Sequence, residues 1–168
     1  MPLLSLLKKL ASVNARGGEL RVGDVAPDFT LRDSDGTERT LSQALKAGPV
    51  LLAFYPRAFT FGCTRELRRY TERQRELQAK GAQLWAISVD DPATLARFKE
   101  LLGAGFTFLS DPAGAVSQRY VGTSNGEALR ATITVGTDGR ITRFTAGLAA
   151  LFPGGDIVAC NQADARET

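Results

Sequence analysis

The chain has 168 residues, 43% of them hydrophobic and 23% charged, with a formal net charge of +3. That length suits one domain with a sizeable core, and no apolar run reaches the eighteen or more residues of a membrane-spanning helix. There is no histidine, which removes Cys-His and Ser-His-Asp catalysis and most catalytic zinc sites, and two cysteines are too few for a disulfide-stapled secreted scaffold.

Leu3, Leu7 and Leu10 share one helix face, which predicts a short amphipathic helix over residues 2–14. Such a helix caps the domain or packs on a neighbouring subunit; with few basic residues it makes a poor membrane anchor. Lys8 and Lys9 follow the apolar part instead of preceding it, and no small-residue cleavage site is present. No secretory signal is therefore expected, and a reducing cytoplasm is the expected location. Residues 29–31 and 38–40 flank Asp35-Gly36 and predict a hairpin. A short helix over 41–46 ends at Gly48-Pro49. The continuous apolar run 50–55 predicts a central strand buried on both faces.

A long helix is expected from Cys63 to Lys80, with Cys63, Leu67, Tyr70, Gln74 and Leu77 on one face. Its Arg65, Arg68, Arg69, Arg73 and Arg75 alternate with Glu66, Glu72 and Glu76. That pattern is a solvated face with internal ion pairs, not a nucleic-acid surface. A strand over 84–89 follows, with Trp85 in the core. Asp91-Pro92 opens a helix whose apolar face is Leu95, Phe98, Leu101 and Leu102. A strand over 106–109, a short helix over 113–120 and a hairpin of 131–135 with 140–144 complete the order. Strands alternating with helices between terminal hairpins mean an α/β fold with a mixed central sheet flanked by helices. Residues 161–168 are polar and expected to fray.

Cys63 carries the chemistry. It follows the apolar run 50–55 and opens the long helix, where backbone N–H groups lack intrahelical partners and favour an anion. Such a position lowers a thiol pKa from about 8.5 toward neutrality and makes the sulfur a nucleophile. A lone cysteine is otherwise more often an inert core residue.

With these residues in place, the chain from about Val22 to Phe144 resembles the peroxiredoxin family, which has a thioredoxin-like fold. Residues 23–29, Gly-Asp-Val-Ala-Pro-Asp-Phe, are similar to the family's opening segment. Pro56, Thr60 and Cys63 match its active-site signature, and Ser110-Asp111-Pro112 is similar to a later segment. Arg130, just before the strand 131–135, matches the arginine that the family brings to the sulfur. Phe54-Tyr55-Pro56 and Glu66 look closest to the bacterioferritin-comigratory and alkyl-hydroperoxide-reductase-E branches.

The resemblance implies a thiol-dependent peroxidase for hydrogen peroxide or alkyl hydroperoxides, without metal or cofactor. Cys63 would be the peroxidatic nucleophile and pass through a sulfenic acid. Arg130 would stabilise charge at the sulfur and the departing oxygen. Thr60 would hydrogen-bond the peroxide, Pro56 would shield the thiol, and Glu66 would orient Arg130. Apart from the resemblance, Arg119 and Tyr120 read as a helix end and a packing residue, with Arg119 also placed where a cation could approach the site.

The domain order expected is an N-terminal extension, 1–18; a peroxiredoxin domain, 19–152; and a tail, 153–168, carrying Cys160. The tail departs from the family, because Pro153-Gly154-Gly155 interrupts the closing helix. Arg68 stands where branch members carry a resolving cysteine, and Phe61 stands where many relatives have proline. Cys160 is then either the resolving thiol or an inert cysteine in the apolar setting of residues 157–159. In the second case an external thiol (thioredoxin, glutaredoxin or a low-molecular-weight thiol) reduces Cys63. A homodimer is compatible with either reading. Two other functions stay open: a thiol–disulfide oxidoreductase, disfavoured because Glu66 replaces a second cysteine, and a non-catalytic interaction domain.

Overall fold

The computed structural model describes residues 20–151. The helix expected over 2–14 and the tail with Cys160 lie outside the described residues. The elements run β1 (Thr30–Asp33), β2 (Glu38–Thr40), α1 (Leu41–Ala44), β3 (Val50–Phe54), α2 (Phe61–Ala79), β4 (Gln83–Ser88) and α3 (Pro92–Leu102). They continue with β5 (Thr107–Ser110), α4 (Ala115–Tyr120), β6 (Thr123–Ser124), β7 (Glu127–Ala128), β8 (Ala131–Val135), β9 (Ile141–Ala146) and a 3₁₀ turn (Gly147–Leu151).

Seven strands form one sheet in the order β2-β1-β5-β4-β3-β8-β9. The β3–β4 and β4–β5 pairs are parallel, and β3–β8 and β8–β9 are antiparallel. The mixed sheet expected from the sequence is thus present. Every residue of β3 is buried, because β3 lies between β4 and β8 and has helices on both faces. Its alternation feeds two cores. Leu51, Ala53 and Tyr55 pack with Leu67, Tyr70, Leu95 and Phe98 beneath α2 and α3. Val50, Leu52 and Phe54 pack with Leu41, Trp85 and Tyr120 beneath α1 and α4.

The buried stripe Leu67, Tyr70 and Leu77 fixes α2 on the sheet. Each such side chain contributes about 1.5–3 kcal/mol by burial. The half-buried, solvent-facing ion pair Arg73–Glu76, at 2.8 Å, adds at most about 1 kcal/mol, so the apolar stripe decides how the helix docks. Asp91 caps α3 by accepting from the Thr94 N–H at 2.8 Å, and Gly103 ends it in the left-handed region at φ 62°.

Three details differ from the sequence reading. The helix α2 begins at Phe61, two residues earlier than expected, because Thr60 takes the extended backbone of an N-cap. Leu101, expected in the core, is 58% exposed; the buried stripe of α3 is Leu95, Phe98 and Leu102, and Leu101 falls beside it. The small hairpin β6–β7 was not expected. It turns at Asn125 and Gly126, both at positive φ, an Asn-Gly pair of the kind that favours tight hairpins.

Candidate active site

The site lies where the chain leaves the carboxyl end of β3. Parallel strands end there in a row, a place where α/β sheets gather functional groups. Antiparallel pairing sets Ala131 opposite Phe54. Arg130, one residue earlier, therefore stands beside the same strand end from which the Pro56–Thr60 loop departs.

Cys63 is the third residue of α2 and is 1% exposed. Its Sγ accepts a hydrogen bond from Arg130 Nη2 at 3.0 Å. The other terminal nitrogen of Arg130 donates to Glu66 Oε2 in a close ion pair. Glu66 is fully buried, which corrects its placement on the solvated face of the helix. One turn after Cys63, it points inward with the thiol. A buried carboxylate is tolerated when a charged partner meets it, and Arg130 is that partner. The guanidinium thus spans two groups on one helix face and is held in a single orientation.

Gly62 makes this approach feasible. A Cβ at that position would sit 3.3 Å from Arg130 Nη2. Sequence reading passed over Gly62, since helix starts accept many residue types.

Thr60 is the N-cap, but its hydroxyl donates to the Arg57 carbonyl at 2.9 Å and does not cap the helix. No hydrogen bond joins it to Cys63 among the described residues. The N–H groups of Phe61, Gly62 and Cys63 have no intrahelical acceptor by the geometry of a helix start. Pro56 is half-buried and opens the loop. Phe59 has φ 63°, uncommon for a bulky side chain, and its ring lies 5.0 Å from that of Phe98. Phe61 is 82% exposed, an apolar rim at the helix start. Arg119 ends α4 exposed, and no hydrogen bond or ion pair joins it to Cys63 among the described residues.

Three further groups bound the loop. Arg57 Nε pairs with Glu127 at 2.6 Å, and the hydrogen bond and charge of Glu127 push the Arg57 guanidinium further up. Ala58 N–H donates to Asp90 Oδ2 at 2.7 Å. Tyr55 is fully buried, and burial drives its phenol well above the usual tyrosine range.

The sequence profile of the AhpC/TSA family matches residues 22–144. The chain belongs to this family. A Mycobacterium tuberculosis protein assigned to the peroxiredoxins is 34% identical over 128 residues, 73% of this chain and 82% of the relative. Peroxiredoxin Bcp of Escherichia coli is 38% identical over 101 residues, 60% of this chain and 64% of its own. The crystal structure of peroxidoxin BcpB from Mycobacterium tuberculosis superposes with a TM-score of 0.79 at 30% identity, covering 89% of this chain and 99% of that one. The chain is a peroxiredoxin of the bacterioferritin-comigratory type, with the thioredoxin-like fold and the thiol-dependent peroxidase activity of that group. As a peroxiredoxin it takes a hydroperoxide as oxidant and a thiol as reductant. Among the described residues, no helix is long and apolar enough to cross a membrane.

Proposed function

We propose that Cys63 is the peroxidatic nucleophile and that Arg130 is the group that makes its sulfur reactive. The observation that carries this reading is the 3.0 Å contact of Arg130 Nη2 with Cys63 Sγ. A fixed cation beside a thiol favours the thiolate, the form that attacks. The thiolate attacks the terminal oxygen of a hydroperoxide. An S–O bond forms, the O–O bond breaks, and the second oxygen leaves as hydroxide or alkoxide and takes a proton. Charge develops on that leaving oxygen, within reach of the Arg130 donors and the N–H groups at the helix start. Cys63 is left as a sulfenic acid.

Glu66 holds the guanidinium in place, Thr60 supplies a hydroxyl at the mouth, and Pro56 closes the loop against water. One thiol then displaces water from the sulfenic sulfur to give a disulfide, and a second thiol restores Cys63. In sum, one hydroperoxide and two thiols give one alcohol or water, one further water and one disulfide.

Cys160 is our candidate for the first of these thiols. It is the sole other cysteine, and the Pro153-Gly154-Gly155 break supports a reaching tail. Disulfide formation needs Cα atoms within about 7 Å, in the same chain or across a homodimer. In its absence a thioredoxin, a glutaredoxin or a low-molecular-weight thiol attacks directly. A reducing cytoplasm suits this chemistry. The segments 1–18 and 153–168 are read as appendages to a peroxiredoxin domain, 19–152. Replacement by Cys63→Ser tests the assignment: the variant should fold normally and lose peroxide reduction.

A further inference from the structure

Asp90 lies just past the end of β4 and belongs to no part of the active-site signature. Its Oδ2 accepts two hydrogen bonds, from Ala58 N–H at 2.7 Å and from Ser88 Oγ at 2.8 Å. Its backbone is fixed as well. The Asp90 carbonyl accepts from Ser110 Oγ at 2.6 Å, and its N–H donates to Ser88 Oγ at 3.3 Å. Ser88 and Ser110 are buried at the adjacent ends of β4 and β5. The carboxylate is thus mounted on the rigid sheet and presents one oxygen to one backbone N–H.

That N–H belongs to the middle of the loop between β3 and α2. The residues around it are each fixed by something else. Arg57 is held by Glu127, Phe59 by the Phe98 ring in a left-handed backbone, and Thr60 by the Arg57 carbonyl. Ala58 is 6% exposed, so its N–H would be a buried donor without an acceptor if Asp90 were absent. The Tyr55 N–H ties the start of the loop to the Ile87 carbonyl of β4 at 3.1 Å, and the Asp90 bond ties its middle. The apolar stripe docks the body of α2, and the Asp90 bond refines where its first turn sits relative to the sheet. Arg130 enters from the sheet side, at the start of β8. The distance from Arg130 to Cys63 therefore depends on where the loop sets the helix start.

We propose that Asp90 is a positioning residue for the peroxide-reducing step, acting as a hydrogen-bond acceptor and not as a charge. This rests on the reading of Cys63 as the attacking thiol. Misplacement of a reacting group by about 1 Å can cost a hundredfold in rate, so a loose loop slows attack on the peroxide. Reduction of the sulfenic acid by a small thiol does not need the Arg130 geometry and is not slowed.

Two variants separate the acceptor from the charge. Asp90→Asn keeps an oxygen that accepts from both Ala58 and Ser88 and removes the charge. Asp90→Glu keeps the charge and moves the acceptor by one methylene. Rapid-quench counting of the free Cys63 thiol after mixing with hydrogen peroxide gives the first step. Recovery of that thiol with dithiothreitol gives the second.

The expected result is a first step within about threefold of the parent for Asp90→Asn and slower by about tenfold or more for Asp90→Glu. Recovery with dithiothreitol should not slow in either. If Asp90→Glu does not fold, as judged by circular dichroism, Asp90→Ala is read in its place with the same expectation. Any other pattern overturns the proposal: a slow Asn variant with a normal Glu variant, both normal, both slow, or a loss shared by the two steps. Failure of the underlying reading is seen separately, as a parent protein whose Cys63 thiol does not react with peroxide at all.

Discussion

Arg130, just before β8, reaches Cys63 on α2 from 67 residues along the chain, and its Nη2 lies 3.0 Å from the sulfur. The same guanidinium is held by Glu66 from the other side. One cation thus serves the thiol while a buried anion fixes its direction. In the proposed mechanism, this bond to sulfur and this ion pair on one rigid group set the donors in place before a substrate arrives, the preorganisation from which electrostatic catalysis gains most.

Removing that cation should be costly to the reaction and also to the fold, because the buried Glu66 carboxylate loses its Arg130 partner, a loss of about 3–5 kcal/mol. Arg130→Ala should lower the rate of thiol oxidation by peroxide about a hundredfold or more, in the range set by loss of one preorganised donor. Arg130→Lys should recover only part, because an ammonium cannot bridge sulfur and carboxylate with a planar fork. Stopped-flow oxidation of the reduced protein checks both. Equal rates in the parent and Arg130→Ala would remove Arg130 from the mechanism.

Glu66 tests the same ion pair from the other side. Glu66→Ala leaves a largely buried guanidinium without its carboxylate, and breaking such a pair costs about 3–5 kcal/mol. Urea unfolding should show a loss of that order, with slower peroxide reduction. Glu66→Gln keeps an acceptor oxygen and should fall between the two.

Gly62→Ala sets local propensity against site geometry. Alanine favours a helix over glycine by up to about 1 kcal/mol. The added methyl would stand 3.3 Å from Arg130 Nη2, and Glu66 limits how far that nitrogen can retreat. The melting temperature should hold or rise while peroxide reduction slows. A variant as fast as the parent would show that Arg130 has slack.

Among the carboxyls away from the site that folding lowers, Asp33 is the buried one. Asp33 is buried, and burial pushes its carboxyl up. Hydrogen bonds from Arg39 and from the backbone N–H groups of Thr37 and Asp35 more than offset that, and leave it below the usual range. A carboxyl lowered by folding stabilises the protein above its unfolded value of about 3.9 and loses that contribution as pH falls through the folded value. The acid limb of an unfolding titration should therefore flatten in Asp33→Asn. A limb unchanged in shape would mean that other carboxyls control it.

Much of this was legible in the sequence because the signals were dense and local. The run 50–55 named a two-face-buried strand, Asp91-Pro92 named a helix start, and Asp35-Gly36 named a turn. Cys63 stood out by its place at a strand-to-helix junction. What escaped depends on contacts distant in sequence. By charge pattern Glu66 reads as one more charge in a charged helix; the family resemblance paired it with Arg130, but its full burial shows only when the two meet. Asp90 sits 32 residues from the Ala58 N–H that it accepts. Its signal was its place at the end of a parallel strand. Gly62 reads as punctuation until a guanidinium is seen beside it. The hairpin at Asn125-Gly126 did carry its own turn signal, in strands too short for a hydrophobic pattern to register.

Whether the Cys63 sulfur is what meets the peroxide is read from intact-mass analysis with peptide mapping. Reduced protein is treated with one equivalent of hydrogen peroxide and alkylated without reduction. The account predicts loss of the Cys63 thiol alone or with Cys160, as a Cys63 sulfenic acid or a Cys63–Cys160 disulfide, and no peroxide consumption by Cys63→Ser. A Cys63 that is still fully alkylatable while peroxide disappears, or a Cys63→Ser variant that consumes peroxide at the parent's rate, would contradict it.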